Sequence, residues 1–191
     1  MLVTISGAVE RPGVYEAPLG LPLRDLLAWA GGTGAPLSAL LVGGYFGSWL
    51  PVDEVAGGVR LLESDLRTRG AALGARTFVA LPEATCGVLE TARVARYLAA
   101  ESAGQCGPCV HGLAAVAGAL DGLARCRGDS ARLARQLAQI TGRGACAHPD
   151  GAVRFVESAR RTFAREFELH ARGRCSGGGR PVLPVPVASS A

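Results

Sequence analysis

The chain has 191 residues, which is room for one ordinary domain or two small ones. Its hydrophobic content of 49% is largely small side chains, with aromatics at 5%, so closely packed helices or a thin sheet are expected rather than a large aromatic core. All 20 basic residues are Arg, the net charge is only +4, and no basic run is interleaved with aromatics, which excludes nucleic acid as a partner.

The first part reads as mixed strand and helix. Leu2 to Ser6 alternates at strand period, Arg11-Pro12-Gly13 is turn chemistry, and Val14-Tyr15-Glu16 returns as a second strand. Leu23, Leu26, Leu27 and Ala30 recur at helical spacing, and Gly31-Gly32 ends that helix. Leu40 to Gly44 and Thr77 to Leu81 supply further strands. The stretch from Ala39 to Val52 is broken by Gly and Pro and falls short of the ~20 residues of a membrane helix, so direct membrane insertion is not expected. Met1 leads straight into a strand with no basic segment, which predicts no signal peptide and a cytoplasmic location. Six cysteines in that setting point to metal or redox work.

From about Glu83 the period becomes helical. Val88, Ala92, Ala95 and Leu98 mark one helix, and a second runs from Pro108 to about Ala124. Asp129 or Ser130 caps a third carrying Leu133, Leu137 and Ile140, and Asp150 caps a fourth carrying Val156, Ala159, Phe163 and Phe167. The class is therefore α+β, with a four-helix up-down bundle as the second unit. We divide the chain into residues 1–84, 85–172 and a flexible Gly/Pro-rich tail over 173–191.

Alternating helix directions sort the cysteines. Cys106 and Cys109 lie between the first and second helices, and Cys146 lies between the third and fourth, so all three share one end of the bundle. Cys86, Cys126 and Cys175 belong to the other end, about 25–30 Å away at 1.5 Å rise per residue. Buried small hydrophobes and a tail thiol account for them more plainly than a second site does. Three thiols on Gly-rich loops suit an iron–sulfur cluster, a structural zinc ion or a dithiol–disulfide couple. Cys106-Gly107-Pro108-Cys109 alone would fit the last, but a helix leads into it where a disulfide exchanger has a strand. Gly31-Gly32-Thr33-Gly34 and Gly43-Gly44 serve turns, since no phosphate-loop Lys follows.

Glu101, Ser102, Gly104, Cys106, Pro108, Cys109, Gly112 and Cys146, with Phe163, Glu166, Phe167, Glu168 and His170, resemble the iron–sulfur-binding region of the NADH-binding flavoprotein subunit of bacterial NADH:quinone oxidoreductase. Ile5 to Glu16 and Gly70 to Leu81 are similar to the soluble-ligand-binding β-grasp domain that precedes it in that family. The resemblance implies a β-grasp-like unit over 1–84 and an iron–sulfur four-helix unit over 85–172. It also implies a 4Fe-4S cluster on Cys106, Cys109 and Cys146 that relays single electrons.

Two departures qualify it. The family's first ligand falls on Ala103, so the fourth position belongs to a non-cysteine ligand or stays open. His148 is the first candidate, giving a Cys₃His cluster, and His111 the second; a 3Fe-4S cluster is the alternative. No stretch resembles the family's flavin and NADH domain, so neither an FMN nor an NAD site is expected, nor independent NADH dehydrogenase activity. A flavoprotein or other redox subunit is the expected electron donor, within a membrane-associated reductase complex. The competing reading is a non-catalytic scaffold or ligand-binding module with structural Zn or no metal.

Overall fold

A computed structural model of the protein describes residues 1–185. Its sheet is built from β1 (Leu2–Gly7), β2 (Gly13–Glu16), β3 (Leu37–Val42), β4 (Ser48–Pro51) and β5 (Thr77–Pro82), in the order β2-β1-β5-β3-β4. β1 and β5 run parallel, in the register Ile5 with Phe78, and the other neighbours are antiparallel. Three helices accompany it: α1 (Leu23–Trp29) and the short α2 (Val52–Ala56) and α3 (Glu63–Arg67). This is the expected β-grasp-like unit, with β4, α2 and α3 added to the elements that periodicity reveals.

The central strands are apolar on both faces. Leu40, Val42, Phe78 and Ala80 pack toward Leu23, Leu26, Val55 and Leu66, while Ala39, Leu41, Val79 and Leu81 join the helical core on the other side. Such continuous apolar runs mark strands covered on both faces. At the β3–β4 turn Gly43 holds φ +91, and a Cβ there would sit 2.7 Å from the Ala72 carbonyl oxygen. Only glycine suits that place, which fulfils the turn reading of Gly43-Gly44.

The bundle follows as α4 (Gly87–Ala100), α5 (Leu113–Ala124), α6 (Ser130–Ile140) and α7 (His148–Thr162), with α8 (Ala164–Ala171) continuing beyond a break at Phe163. Asp129 caps α6, its carboxylate accepting from the Ala131 amide at 2.7 Å. Asp150 does not cap the fourth bundle helix. It lies within the first turn of α7 and accepts instead from the Gly142 amide at 2.8 Å, fastening the preceding loop.

Trp49 joins sheet to bundle. Its ring meets Phe155 and Phe163 at centroid distances of 6.2 and 5.3 Å, and its carbonyl accepts from the Thr162 hydroxyl at 3.1 Å. Beyond α8 the chain turns back along α4. Gly179 donates to the Ala84 carbonyl at 2.8 Å, and Leu183 is 2% exposed with its amide on the buried Glu90 carboxylate at 2.9 Å. Composition predicts a flexible segment here. Over 177–185 it is a strap instead, because Glu90 and Arg93 supply partners for a backbone that proline leaves without sheet or helix bonds. Residues 186–191 of the expected tail lie outside the described residues.

Candidate metal centre

α4 stops at Ala100, and the chain reverses through a loop in which Gly104 takes φ +63. It then enters a π-helical turn over Pro108–Gly112 before continuing as α5. Such wide turns gather at functional sites. Here the turn buries Cys109, at 6% exposed, while Val110 faces outward. A Cβ on Gly112 would lie 2.7 Å from Ile140, so glycine lets the end of α6 close on the turn. That closure brings the facing loop, with Cys146 on its exposed rim, to the same end of the bundle.

The thiols here are electrostatically linked. Backbone amides of Ala145 and Cys109, directed at the Cys106 sulfur, hold its thiol below the usual thiol range. Cys109 is pushed up, first by burial, then by the adjacent Cys106, with a smaller contribution from Cys146. Cys106 and Cys109 are thus in hydrogen-bonding reach, and Cys146 is near enough to act on Cys109. Among the described residues, however, these three sulfurs do not all fall within 4.8 Å of one another. The N-terminal ends of the π turn and of α7 both point their amides at this loop pair, which favours negative charge.

His148 opens α7. Its Nε2 lies 2.8 Å from the Leu98 carbonyl oxygen and its ring stands edge-on to Phe46 at 5.2 Å. A carbonyl can only accept, so Nε2 carries the proton and Nδ1 is the nitrogen left for a ligand. His111 is exposed on the π turn. Ala103 is exposed too, its carbonyl accepting from the Gln105 amide at 3.2 Å.

The other end of the bundle holds what spacing does not reveal. Cys86, Cys126 and Cys175 all gather around His170. Helix direction places these thiols at one end. What it lacks is His170, which the sequence presents only as part of the closing helix, and the glycine run after Cys175 that folds the strap back.

Residues 90–170 match the NADH-ubiquinone oxidoreductase-F iron-sulfur binding region, and residues 2–43 match the SLBB domain. The fold and matched regions thus define an iron–sulfur binding unit joined to an SLBB domain. The chain is homologous to the C-terminal region of the F subunit of NADH-quinone oxidoreductase. It is 34% identical over 188 residues to the Mycobacterium tuberculosis F subunit, an alignment that covers 96% of this chain and 41% of the relative. Against the F 2 subunit of the same enzyme in Rhizobium meliloti the identity is 32% over 180 residues, with 91% and 42% covered. The chain therefore spans about two fifths of the length of the curated relatives it matches. Among solved structures, an NAD+-reducing [NiFe]-hydrogenase in the air-oxidized state superposes with a TM-score of 0.78 at 25% identity, over 88% of this chain and 29% of that one. No helix among the described residues is long and apolar enough to cross a membrane.

Proposed function

We propose that this protein relays single electrons through an iron–sulfur cluster, 4Fe-4S in type, held by Cys106, Cys109 and Cys146. The observation that carries the reading is the convergence of these thiols on two facing loops inside the matched iron–sulfur region. The residues fit the group. One thiol is already poised to lose its proton, amides point at its sulfur, and two helix N-termini offset thiolate charge. The matched iron–sulfur region favours a multi-iron core over structural zinc.

The cluster supplies one-electron transfer at a potential set by its ligands and the hydrogen bonds to their sulfurs. The chain positions and exposes it. Cys109 anchors from the buried side, while exposed Cys146 and Val110 leave one edge open to a partner. The fourth ligand position faces Ala103. We assign that position to His148, whose Nδ1 is free to ligate while Nε2 is tethered to Leu98, the arrangement usual for ligating imidazoles. The partners in this reading are a flavoprotein or other redox subunit as electron donor, within a reductase complex. The division into 1–84 and 85–172 belongs to the same reading, with the SLBB unit as a docking or ligand-binding module.

Anaerobic reconstitution with iron and sulfide, followed by metal and sulfide analysis and EPR, tests it. Iron and sulfide in equal amounts with a reducible signal, lost in Cys106→Ala, is the expected result. Protein that takes up zinc or nothing overturns it.

A further inference from the structure

Where α4 begins and α8 ends, 3.2 Å separates the Cys86 sulfur from Nε2 of His170. Both residues are buried, at 1% and 0% exposed. Nδ1 of His170 lies 2.8 Å from the Leu123 carbonyl oxygen, so Nδ1 carries the proton and Nε2 presents its lone pair toward Cys86. Cys175 completes the group from the exposed side: its sulfur, the Cys86 sulfur and an imidazole nitrogen of His170 all lie within 4.8 Å of one another.

We propose that Cys86, Cys175 and His170 form a second metal site, binding one divalent zinc-class ion through two thiolates and Nε2, with water in the fourth position.

The dimensions suit it. Tetrahedral geometry with Zn–S of about 2.3 Å and Zn–N of about 2.0–2.1 Å sets S···N at about 3.6 Å and S···S at about 3.8 Å. Ligation needs only a slight opening of the 3.2 Å between Cys86 and His170. Two thiolates and a neutral imidazole cancel the charge of a divalent ion, which suits a site whose inner half is dry. The donor set is soft sulfur with nitrogen, which selects zinc-class ions over magnesium or calcium.

The surroundings are built for the close approach. A Cβ at Gly177 would lie 2.9 Å from the Cys86 amide nitrogen, and the Gly177 carbonyl accepts from Cys175 at 3.0 Å. Glycine there lets the chain fold back and bring Cys175 over Cys86. The Leu123 carbonyl orients the imidazole as backbone carbonyls do for ligating histidines. Glu166 stands beside Cys86, with Oε2 accepting from the Gly87 amide at 2.8 Å, and fixes the turn from which Cys86 projects. Cys126, whose sulfur lies 3.5 Å from Nδ1, is on the opposite edge of the ring and stays outside the ligand set.

Binding displaces the two thiol protons to solvent, and no redox partner is involved. The site fastens the strap to the start of α4 and the end of α8. It is a helix length away from Cys106 and does not rest on the electron-relay reading.

The test is an anaerobic Co²⁺ titration of the full chain carrying Cys106→Ser, Cys109→Ser and Cys146→Ser, with circular dichroism to establish folding. One equivalent of Co²⁺ with thiolate charge-transfer and tetrahedral d–d bands is expected, displaced by one equivalent of Zn²⁺ with release of about two protons. Adding Cys175→Ser, at an exposed position, should weaken binding at least tenfold. In the chain with all other cysteines present, Cys175→Ser should lower zinc content by one equivalent, a readout that survives if the triple variant misfolds. Absence of tetrahedral bands from the folded triple variant, or zinc content indifferent to Cys175→Ser, overturns the proposal and leaves a thiol–imidazole hydrogen bond.

Discussion

The Ser158 hydroxyl accepts the Trp49 backbone N–H at 2.9 Å and donates to the Phe155 carbonyl at 2.7 Å, all within the buried contact of β4 with α7. One side chain thus satisfies an edge-strand donor that has no strand beyond it. Replacing it with Val leaves that N–H buried and unpaired, at a cost of about 1–3 kcal/mol. Urea unfolding of Ser158→Val should show a lower midpoint with one transition for sheet and bundle alike. Two separated transitions would mean the two layers fold independently.

Glu90 is buried at 1% exposed and divides its carboxylate between Arg93, at 2.8 Å, and the Leu183 amide, at 2.9 Å. Glu90→Gln keeps one acceptor and loses the charge, leaving the partly exposed Arg93 without its ion-pair partner. The strap should detach, seen as faster proteolysis and amide exchange around Leu183, with stability lower by about 3 kcal/mol. Unchanged exchange there would show that Leu183 is held by its burial alone.

Tyr45 offers a pH test. Burial raises its hydroxyl to about 12, opposed by Arg93 and assisted by Glu90, and the hydroxyl finds no hydrogen-bond partner among the described residues. The unfolded chain releases this proton near pH 10 and the folded chain only near 12. Stability from this group is therefore intact below pH 10 and falls as pH climbs toward 12. Tyr45→Phe should flatten that alkaline decline and cost little at neutral pH. A steeper decline in the variant would contradict the assignment.

Thiol reactivity should follow the same environments. Cys106, held low by the Ala145 and Cys109 amides, should alkylate fastest at mildly acidic pH. Cys86, pushed far up by burial, should resist iodoacetamide until the chain unfolds. Peptide mass mapping of partially modified protein reads both rates, and early labelling of Cys86 would show that its pocket opens.

Ala103→Cys restores a thiolate at the position where the electron-relay reading lacks a ligand. The reconstituted variant should retain iron longer against a chelator and show a lower potential than the parent, because the added ligand is anionic. Iron retention no better than the parent would place the open position elsewhere.

The parts of this molecule readable from sequence are those with a period. Leu133, Leu137 and Ile140 announce α6, and Val88 to Leu98 announce α4, because each helix has one buried face. β4 is four residues ending in proline, and α2 and α3 have five residues each, too short to display a stripe. The expectation that Cys106, Cys109 and Cys146 share one end of the bundle rests on helix direction alone, which the periodicity of the flanking helices makes readable. The Cys86, His170 and Cys175 group depends on a fold-back through glycines and on a ring turned by the Leu123 carbonyl, neither of which has a local signature. Glu90 reads as an ordinary helix-face acid; what makes it an anchor is a segment that returns from 93 residues later.

The π turn over Pro108–Gly112 makes the direction of Cys109 a matter of counting. A regular helix advances about 100° per residue, and the wide turn stores one residue's worth of that rotation. Deleting Val110 would let the segment relax to an ordinary helix, keep all six cysteines, and swing Cys109 out of line with Cys106. For the proposed cluster, insertions and deletions in this turn would therefore displace a ligand without removing one, and a comparison of cysteine content alone would pass over them.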